Sequence, residues 1–389
     1  MNNSNFIIGL MTGTSVDGVD AALVNICGYG KGSKIKLIHS KTFDFPDEIK
    51  NEIFLAMDIE KSNVELICSL NYKLGQLFAN CVQKLCHEAS VKVSDLTAIG
   101  SHGQTIYHIP NPLASNMSST LQLGEPAIIA YETNTTVISN FRAMDMAAGG
   151  VGAPLVPYTD YILYGNNQFG RTLQNIGGIG NVTVLPKNCE LEDVFAFDTG
   201  PGNMIIDSLC NKLLNESFDK DGKYGSKGKV QKHIVDTWMK MDYFMKTPPK
   251  ATGRELFGEH FVEQELKKYP GISSEDWIAT ATYFTAKSIA HAYLNYVFPN
   301  VEIDEIIIGG GGSYNPTLIQ MLKNLLPNYT IKTQEDIGFS SSSKEAIAFA
   351  ILANETLHRK PSNVPKATGA KQHVVLGQFT YPPFADYEL

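Results

Sequence analysis

The chain opens with an alternation of apolar runs and turns that predicts a β-meander. Residues 6–11 are apolar, 12–18 have turn chemistry, and 19–26 return as a second strand. A second turn covers 28–33, and 34–40 alternate as a third strand. The period then changes. Leu66, Ile67, Leu70, Leu74, Leu77, Phe78, Cys81 and Leu85 recur at helical spacing and predict a helix over 64–89. Residues 96–100 read as a short buried strand ending in the polar turn Ser101-His102-Gly103-Gln104-Thr105, where open α/β sheets place ligand sites. A loop over 111–119, a short helix after Pro126 and a strand at 136–139 follow. The glycine-rich stretch 147–154 is the candidate hinge.

From about residue 157 the same grammar repeats: strand, glycine turn, strand, and a further strand at 194–197. That strand is expected to end at Asp198, with a helix over 204–214. Residues 271–297 are helical in pattern, and 305–308 form a strand that feeds four glycines. Ser342-Ser343-Lys344-Glu345 reads as a capping box before an apolar helix at 346–352. The tail from 361 has no clear period and is expected to be irregular. The repeated grammar predicts an internal duplication. The expected domains are 1–145 and 146–389, with the C-terminal helix and tail packing back on the first.

Bulk properties narrow the classes. A length of 389 residues exceeds one ordinary core and favours two domains. With 43% apolar and 19% charged residues the chain reads as soluble and globular. A formal charge of −8 argues against a nucleic-acid partner. No apolar run reaches membrane-spanning length, and the N-terminus lacks a basic leader, so a cytosolic protein with no membrane partner is expected. Six cysteines without a CxxC pair read as buried, reduced thiols.

The candidate chemistry lies in three glycine-rich turns. The first spans Gly13, Thr14, Ser15, Val16, Asp17, Gly18, Val19 and Asp20; the second holds Asn175, Gly177, Gly178, Gly180 and Asn181; the third is Gly309, Gly310, Gly311 and Gly312. Glycine lets backbone N–H groups approach a phosphate closely. Three such turns suggest a nucleotide gripped between two lobes. There is no GxxxxGK[ST], so a P-loop is not the grip. Asp17 and Asp20 are candidates to orient Mg²⁺ through water, or are plain turn residues. Asp219-Lys220-Asp221-Gly222 reads as an ordinary surface loop.

These turns, together with Phe197-Asp198-Thr199-Gly200-Pro201-Gly202-Asn203, Ser101–Thr105, Thr252-Gly253-Arg254-Glu255 and Thr368-Gly369-Ala370, resemble the anhydro-N-acetylmuramic acid kinases over nearly the whole chain. The resemblance implies an α/β fold of the actin/hexokinase/Hsp70-like kind. That is a two-lobed ribonuclease H-like duplication, with central mixed sheets flanked by helices and ATP in the interlobe cleft. It implies a cytoplasmic bacterial enzyme of cell-wall recycling, possible homodimerisation, and ATP with Mg²⁺ as cofactors. The implied reaction converts 1,6-anhydro-N-acetylmuramic acid, ATP and water to N-acetylmuramic acid 6-phosphate and ADP. One departure from the wider superfamily stands out: its first loop opens with a metal-orienting aspartate, where this chain has Met11.

Within that resemblance Asp198 is the candidate general base, at a strand end near a helix N-terminus whose field favours the ionised form. The competing reading is an N-capping aspartate. Ser101, His102, Gln104, Glu125 and Arg142 are candidate sugar contacts, with Arg142 suited to the lactyl carboxylate. Lys250 and Arg254 read as solvated. A phosphohydrolase and a nucleotide-switched binding protein are the alternative functions on the same scaffold.

Overall fold

The computed structural model describes residues 4–13, 15–110, 116–337 and 343–383. The chain divides into two compact units, Met1–Leu163 with Ser342–Leu389, and Tyr164–Ser341. The expected division at 145/146 falls inside the helix Phe141–Ala147, and the expected hinge region 147–154 lies within the first unit. Buried Asp145 is the reason. Its carboxylate accepts from Gly152 N (2.9 Å), Asn363 Nδ2 (2.9 Å) and Thr368 Oγ1 (2.8 Å), tying 145–152 to the returning tail.

The first unit is built on a mixed sheet of β1 (Ser4–Thr12), β2 (Gly18–Cys27), β3 (Lys34–Asp44), β4 (Leu96–Ile109), β5 (Ser119–Leu123) and β6 (Val137–Ser139). The order is β3-β2-β1-β4-β6, with β5 paired to β4. β1 and β2 are antiparallel, as are β2 and β3, whereas β4 runs parallel to β1 and to β6. The tail is not wholly irregular. Gln378–Thr380 adds an antiparallel edge strand beside β6. β4 is also longer than its sequence suggests, because β5 pairs with Gln104–Ile109 and keeps the chain extended through the polar residues. Gly103, at φ +78°, marks an irregularity within that strand.

One face of this sheet is covered by the helix Val64–Glu88, capped by the Asn63 side chain. Its Leu70, Leu74, Phe78, Val82 and Leu85 pack with Ile8, Leu10 and Val19. Fully burying such side chains contributes about 1.5–3 kcal/mol each. The apolar helix predicted at 346–352 spans Lys344–Leu357, and Ala346–Thr356 are buried along its length. It lies against Gly9 and Gly100. A methyl group on either would strike the Ala346 or Phe349 backbone carbonyl. Ser343, the N-cap, makes no side-chain capping bond, and Ser342 of the expected capping box lies outside the described residues.

The second unit repeats the plan with β7 (Arg171–Ile176), β8 (Ile179–Leu185), β9 (Phe195–Pro201), β10 (Glu305–Gly309) and β11 (Thr330–Thr333). The order β9-β8-β7-β10-β11 matches β3-β2-β1-β4-β6 strand for strand. The pairings match too: two antiparallel, then two parallel. The helices Ser274–Ala292 and Pro316–Leu325 close a core on Ile176, Val182, Ile306 and Ile308. A second, aromatic core of Trp238, Phe244, Phe257, Phe261 and Phe284 sits with the helix Met204–Leu214.

The cysteines form no disulfide. Cys81, Cys86, Cys189 and Cys210 are buried as expected, but Cys68 is exposed and Cys27 half-buried. Burial pushes the Cys81 thiol up to about 12, so it stays protonated.

Candidate active site

In the first unit the β1–β2 turn is held from β4. Gln104 Nε2 donates to the Gly13 carbonyl at 3.2 Å, and Thr12 Oγ1 donates to the Gly103 carbonyl at 3.0 Å. Val16 N–H also closes on the Gly13 carbonyl, at 3.2 Å. Thr14 lies outside the described residues. Ser15 and Asp17 are exposed, while the Val16 and Val19 side chains are fully buried in the core. The sequence places these two valines among the candidate nucleotide contacts. Their side chains are packing groups instead, and Val16 N–H is already spent. Val16 has φ +57°, a left-handed backbone that a β-branched residue rarely adopts. Asp20 accepts from Thr42 Oγ1 at 2.5 Å. Burial raises its carboxyl, and the Asp17 charge adds to the rise. Met11 lies opposite Asp20 across the hairpin.

The polar residues of β4 are buried: Ser101, His102 and Gln104 are at most 3% exposed. The Ser101 hydroxyl and Gln104 Oε1 make no hydrogen bond with the described residues. His102 Nδ1 donates to the Gly103 carbonyl at 2.6 Å, and its Nε2 accepts from Arg142 Nε at 3.0 Å. Burial and the Arg142 guanidinium hold this imidazole well below its usual pKa, so it is neutral. Arg142 also donates through Nη1 to the Gly152 carbonyl at 2.7 Å. Glu125 caps the helix Pro126–Thr133 by accepting from Ala127 N, and its other oxygen accepts from Asn71 Nδ2. By its sequence position Glu345 is only a capping residue. It is solvent-accessible, yet desolvation raises its carboxyl, with Asp20 adding to the rise and Lys344 and Arg142 opposing it.

In the second unit the glycine segments at 177–180, 200–202 and 309–312 meet. The Gly177 carbonyl accepts from Asn203 N at 2.7 Å, and the Gly178 carbonyl accepts from Gly202 N and Met204 N at 2.9 and 3.1 Å. A methyl group on Gly310 would lie 2.6 Å from Asn175 Oδ1, and one on Gly312 would meet Ile176 and Asn203. Several glycines are therefore packing requirements. Gly180 has Thr199 Oγ1 at 2.8 Å from where a Cβ would sit, Gly309 has the Gln334 side chain, and Gly18 has the Phe43 carbonyl at 2.7 Å. Gly13, Gly177, Gly178 and Gly311 are different. Each has room for a methyl group, with no neighbour nearer than 3.4 Å, and none has a positive φ. Internal packing does not explain glycine at these four positions.

Asp198 lies within β9, opposite Asn181 of β8. It caps nothing, since Asn203 is the N-cap of the helix Met204–Leu214. Its backbone N–H donates to the Lys250 carbonyl at 3.0 Å, and its Oδ2 accepts from Thr252 N at 2.9 Å. Tyr243 OH donates to its carbonyl at 2.6 Å. Oδ1 accepts no hydrogen bond from the described residues. Burial pushes the carboxyl up to about 6; the Thr252 N–H opposes this and the Glu255 charge adds to it. The expected lowering by a helix N-terminus is thus outweighed by desolvation.

Two further expectations are corrected. Lys250 is buried rather than solvated, against the Tyr243 and Tyr296 rings, whereas Arg254 is exposed as expected. Asp219 is only 5% exposed and accepts from Tyr224 N and Gly225 N, so it anchors the segment from within, while Lys220 and Asp221 are exposed as in the expected surface loop. Burial and the Asp219 charge together push the neighbouring Asp207 up to about 7.

A ribonuclease H-like sheet built twice, with a glycine turn between the first two strands of each copy, defines an α/β protein of the actin/hexokinase-like class. The model of the anhydro-N-acetylmuramic acid kinase family matches residues 5–382. The chain is 58% identical over 379 residues to the anhydro-N-acetylmuramic acid kinase of Bacillus cereus strain Q1, covering 97% of this chain and 99% of that one. It is 59% identical over 380 residues to that of Bacillus cereus strain G9842, covering 97% and 100%. The chain belongs to the anhydro-N-acetylmuramic acid kinase family and is a kinase. Among solved structures it is similar to the activator of the 2-hydroxyisocaproyl-CoA dehydratase from Clostridium difficile with bound ADPNP, at TM-score 0.43 and 12% identity over 91% of this chain and 97% of that one.

Proposed function

We propose that the protein converts 1,6-anhydro-N-acetylmuramic acid, ATP and water to N-acetylmuramic acid 6-phosphate and ADP, as a step of cell-wall recycling. The substrate has no free 6-hydroxyl, because O6 is bonded to C1. Water therefore adds at C1, the C1–O6 bond breaks, and O6 takes the γ-phosphoryl group. The water proton passes to Asp198. The observation that carries this reading is the state of that carboxylate. One oxygen is fixed by Thr252, the other is free, and a pKa near 6 leaves it ionised yet basic at neutral pH.

Gly13, Gly177, Gly178 and Gly311 are the positions where a phosphate or nucleoside needs the missing side chain, and Ser15 adds a hydroxyl. Ser101, Gln104 and His102 line the sugar site, where the two unpaired buried oxygens of Ser101 and Gln104 await a ligand hydroxyl. Arg142 keeps Nη2 for the lactyl carboxylate. Among the described residues no three His, Cys, Asp or Glu side chains converge as a metal site. The Asp17–Asp20 pair, whose mutual repulsion a cation would relieve, fits a magnesium ion held through water. Bound there, magnesium would neutralise phosphate charge. Turnover in ¹⁸O-water tests the reading. Label at C1 of the 6-phosphorylated sugar supports it, and label in free phosphate without sugar turnover replaces it with a phosphohydrolase.

A further inference from the structure

Lys250 is a buried charged group that the reaction above leaves unused. Its ammonium lies 4.8 Å from the centroid of the Tyr243 ring and 4.6 Å from that of Tyr296. It donates weakly to the Tyr243 carbonyl, at 3.4 Å. No carboxylate among the described residues pairs with it. The other titratable groups that face it are the two tyrosines and His291, whose ring lies 6.0 Å from that of Tyr296. The charge is therefore held by π-faces and one carbonyl. The box is itself anchored, since Tyr296 OH donates to the Phe244 carbonyl at 3.0 Å.

Every hydrogen bond seen on Asp198 beyond its sheet pairing comes from the two segments that Lys250 ties together. Tyr243 OH binds its carbonyl, the Lys250 carbonyl takes its N–H, and Thr252 N–H fixes Oδ2. We propose that Lys250 is a positioning residue for Asp198: its ammonium, boxed by Tyr243 and Tyr296, locks the 250–252 backbone that aims the carboxylate. This rests on Asp198 being the base. A methionine would fill the same space without the desolvation cost that holds this lysine down at about 8. The charge is what the box retains. The carboxylate ionises near pH 6 and the clamp discharges near pH 8, so the active window lies between them.

The test is kcat and KM against pH for Lys250→Met, Lys250→Arg and Asp198→Asn, with melting temperatures for each. Lys250→Met should lower kcat on the order of 10²-fold, the cost of a small misalignment, with KM for ATP little changed. Lys250→Arg, which does not titrate, should restore most of the rate and move the alkaline limb upward while leaving the acid limb in place. A normal kcat in Lys250→Met, or an unmoved alkaline limb in Lys250→Arg, overturns the proposal. The arginine variant decides the matter even if the methionine variant fails to fold. If Asp198→Asn keeps its turnover, the base assignment fails and this proposal with it. If Asp198→Asn is inactive and Lys250→Met is normal, only the positioning role is lost.

Discussion

The β1–β2 and β7–β8 turns occupy the same place in two copies of one sheet plan, and they are built in opposite ways. The first is polar and held by side chains. Gln104 and Thr12 bridge it to β4, Ser15 and Asp17 are exposed on it, and Val16 sits in a left-handed conformation within it. Strain of that sort costs on the order of 1–3 kcal/mol and persists only where the surroundings enforce it. The second turn carries neither hydroxyl nor carboxylate. It is stitched by backbone bonds from Gly202, Asn203 and Met204 to the Gly177 and Gly178 carbonyls. The difference teaches that one topology serves two tasks. The first copy presents charged and hydroxyl groups on a braced turn, and the second presents bare backbone on a rigid one.

The largest expected effect tests where the chemistry sits. Asp198→Asn should cut kcat by about 10²–10⁴-fold while calorimetry still shows ATP binding. In the parent protein kcat should rise as pH rises through about 6, because the base works only when ionised. Persisting turnover in the variant would move the chemistry away from the second unit. A paired substitution then sharpens the account of the second turn. Gly178→Ala has room in the free protein, so its melting temperature should hold while ATP affinity drops about 10- to 100-fold through lost charge-assisted hydrogen bonds. Gly180→Ala meets Thr199 Oγ1 at 2.8 Å and should cost about 1–3 kcal/mol of stability instead. If the two phenotypes exchange, the proposed division into packing and ligand glycines is wrong.

The smallest effect concerns Asp207, on the helix Met204–Leu214 whose start holds the second turn. Its carboxyl is raised in the folded state, so ionising it costs stability as pH climbs from the ordinary carboxylate range to about 7. Asp207→Asn should therefore gain about 1 kcal/mol at pH 8, allowing for partial exposure, and nothing at pH 3. Urea unfolding at the two pH values measures this. An equal gain at both would show that the charge is not the cause.

Much of this was legible in the chain. The meander, the helix over 64–89, the helix over 204–214 and the duplicated grammar all follow from local periodicity and turn chemistry. The reach of β4 through Ser101–Thr105 was hidden, because pairing with β5 rather than local propensity keeps those polar residues extended. The tail strand Gln378–Thr380 was hidden for the same reason, since its partner β6 lies some 240 residues earlier. Lys250 carried no local signal at all: a lysine between prolines and a glycine turn reads as solvated until the aromatic box is seen.

The sequence by itself determined the strands, the turns and the family motifs, because periodicity and glycine placement are local properties written residue by residue. Only the tertiary structure decided which glycines have room for a side chain, which carboxylates are desolvated, and which lysine is enclosed. Those depend on neighbours distant in the chain, and burial, the term that sets both packing and pKa, has no value until the chain has folded.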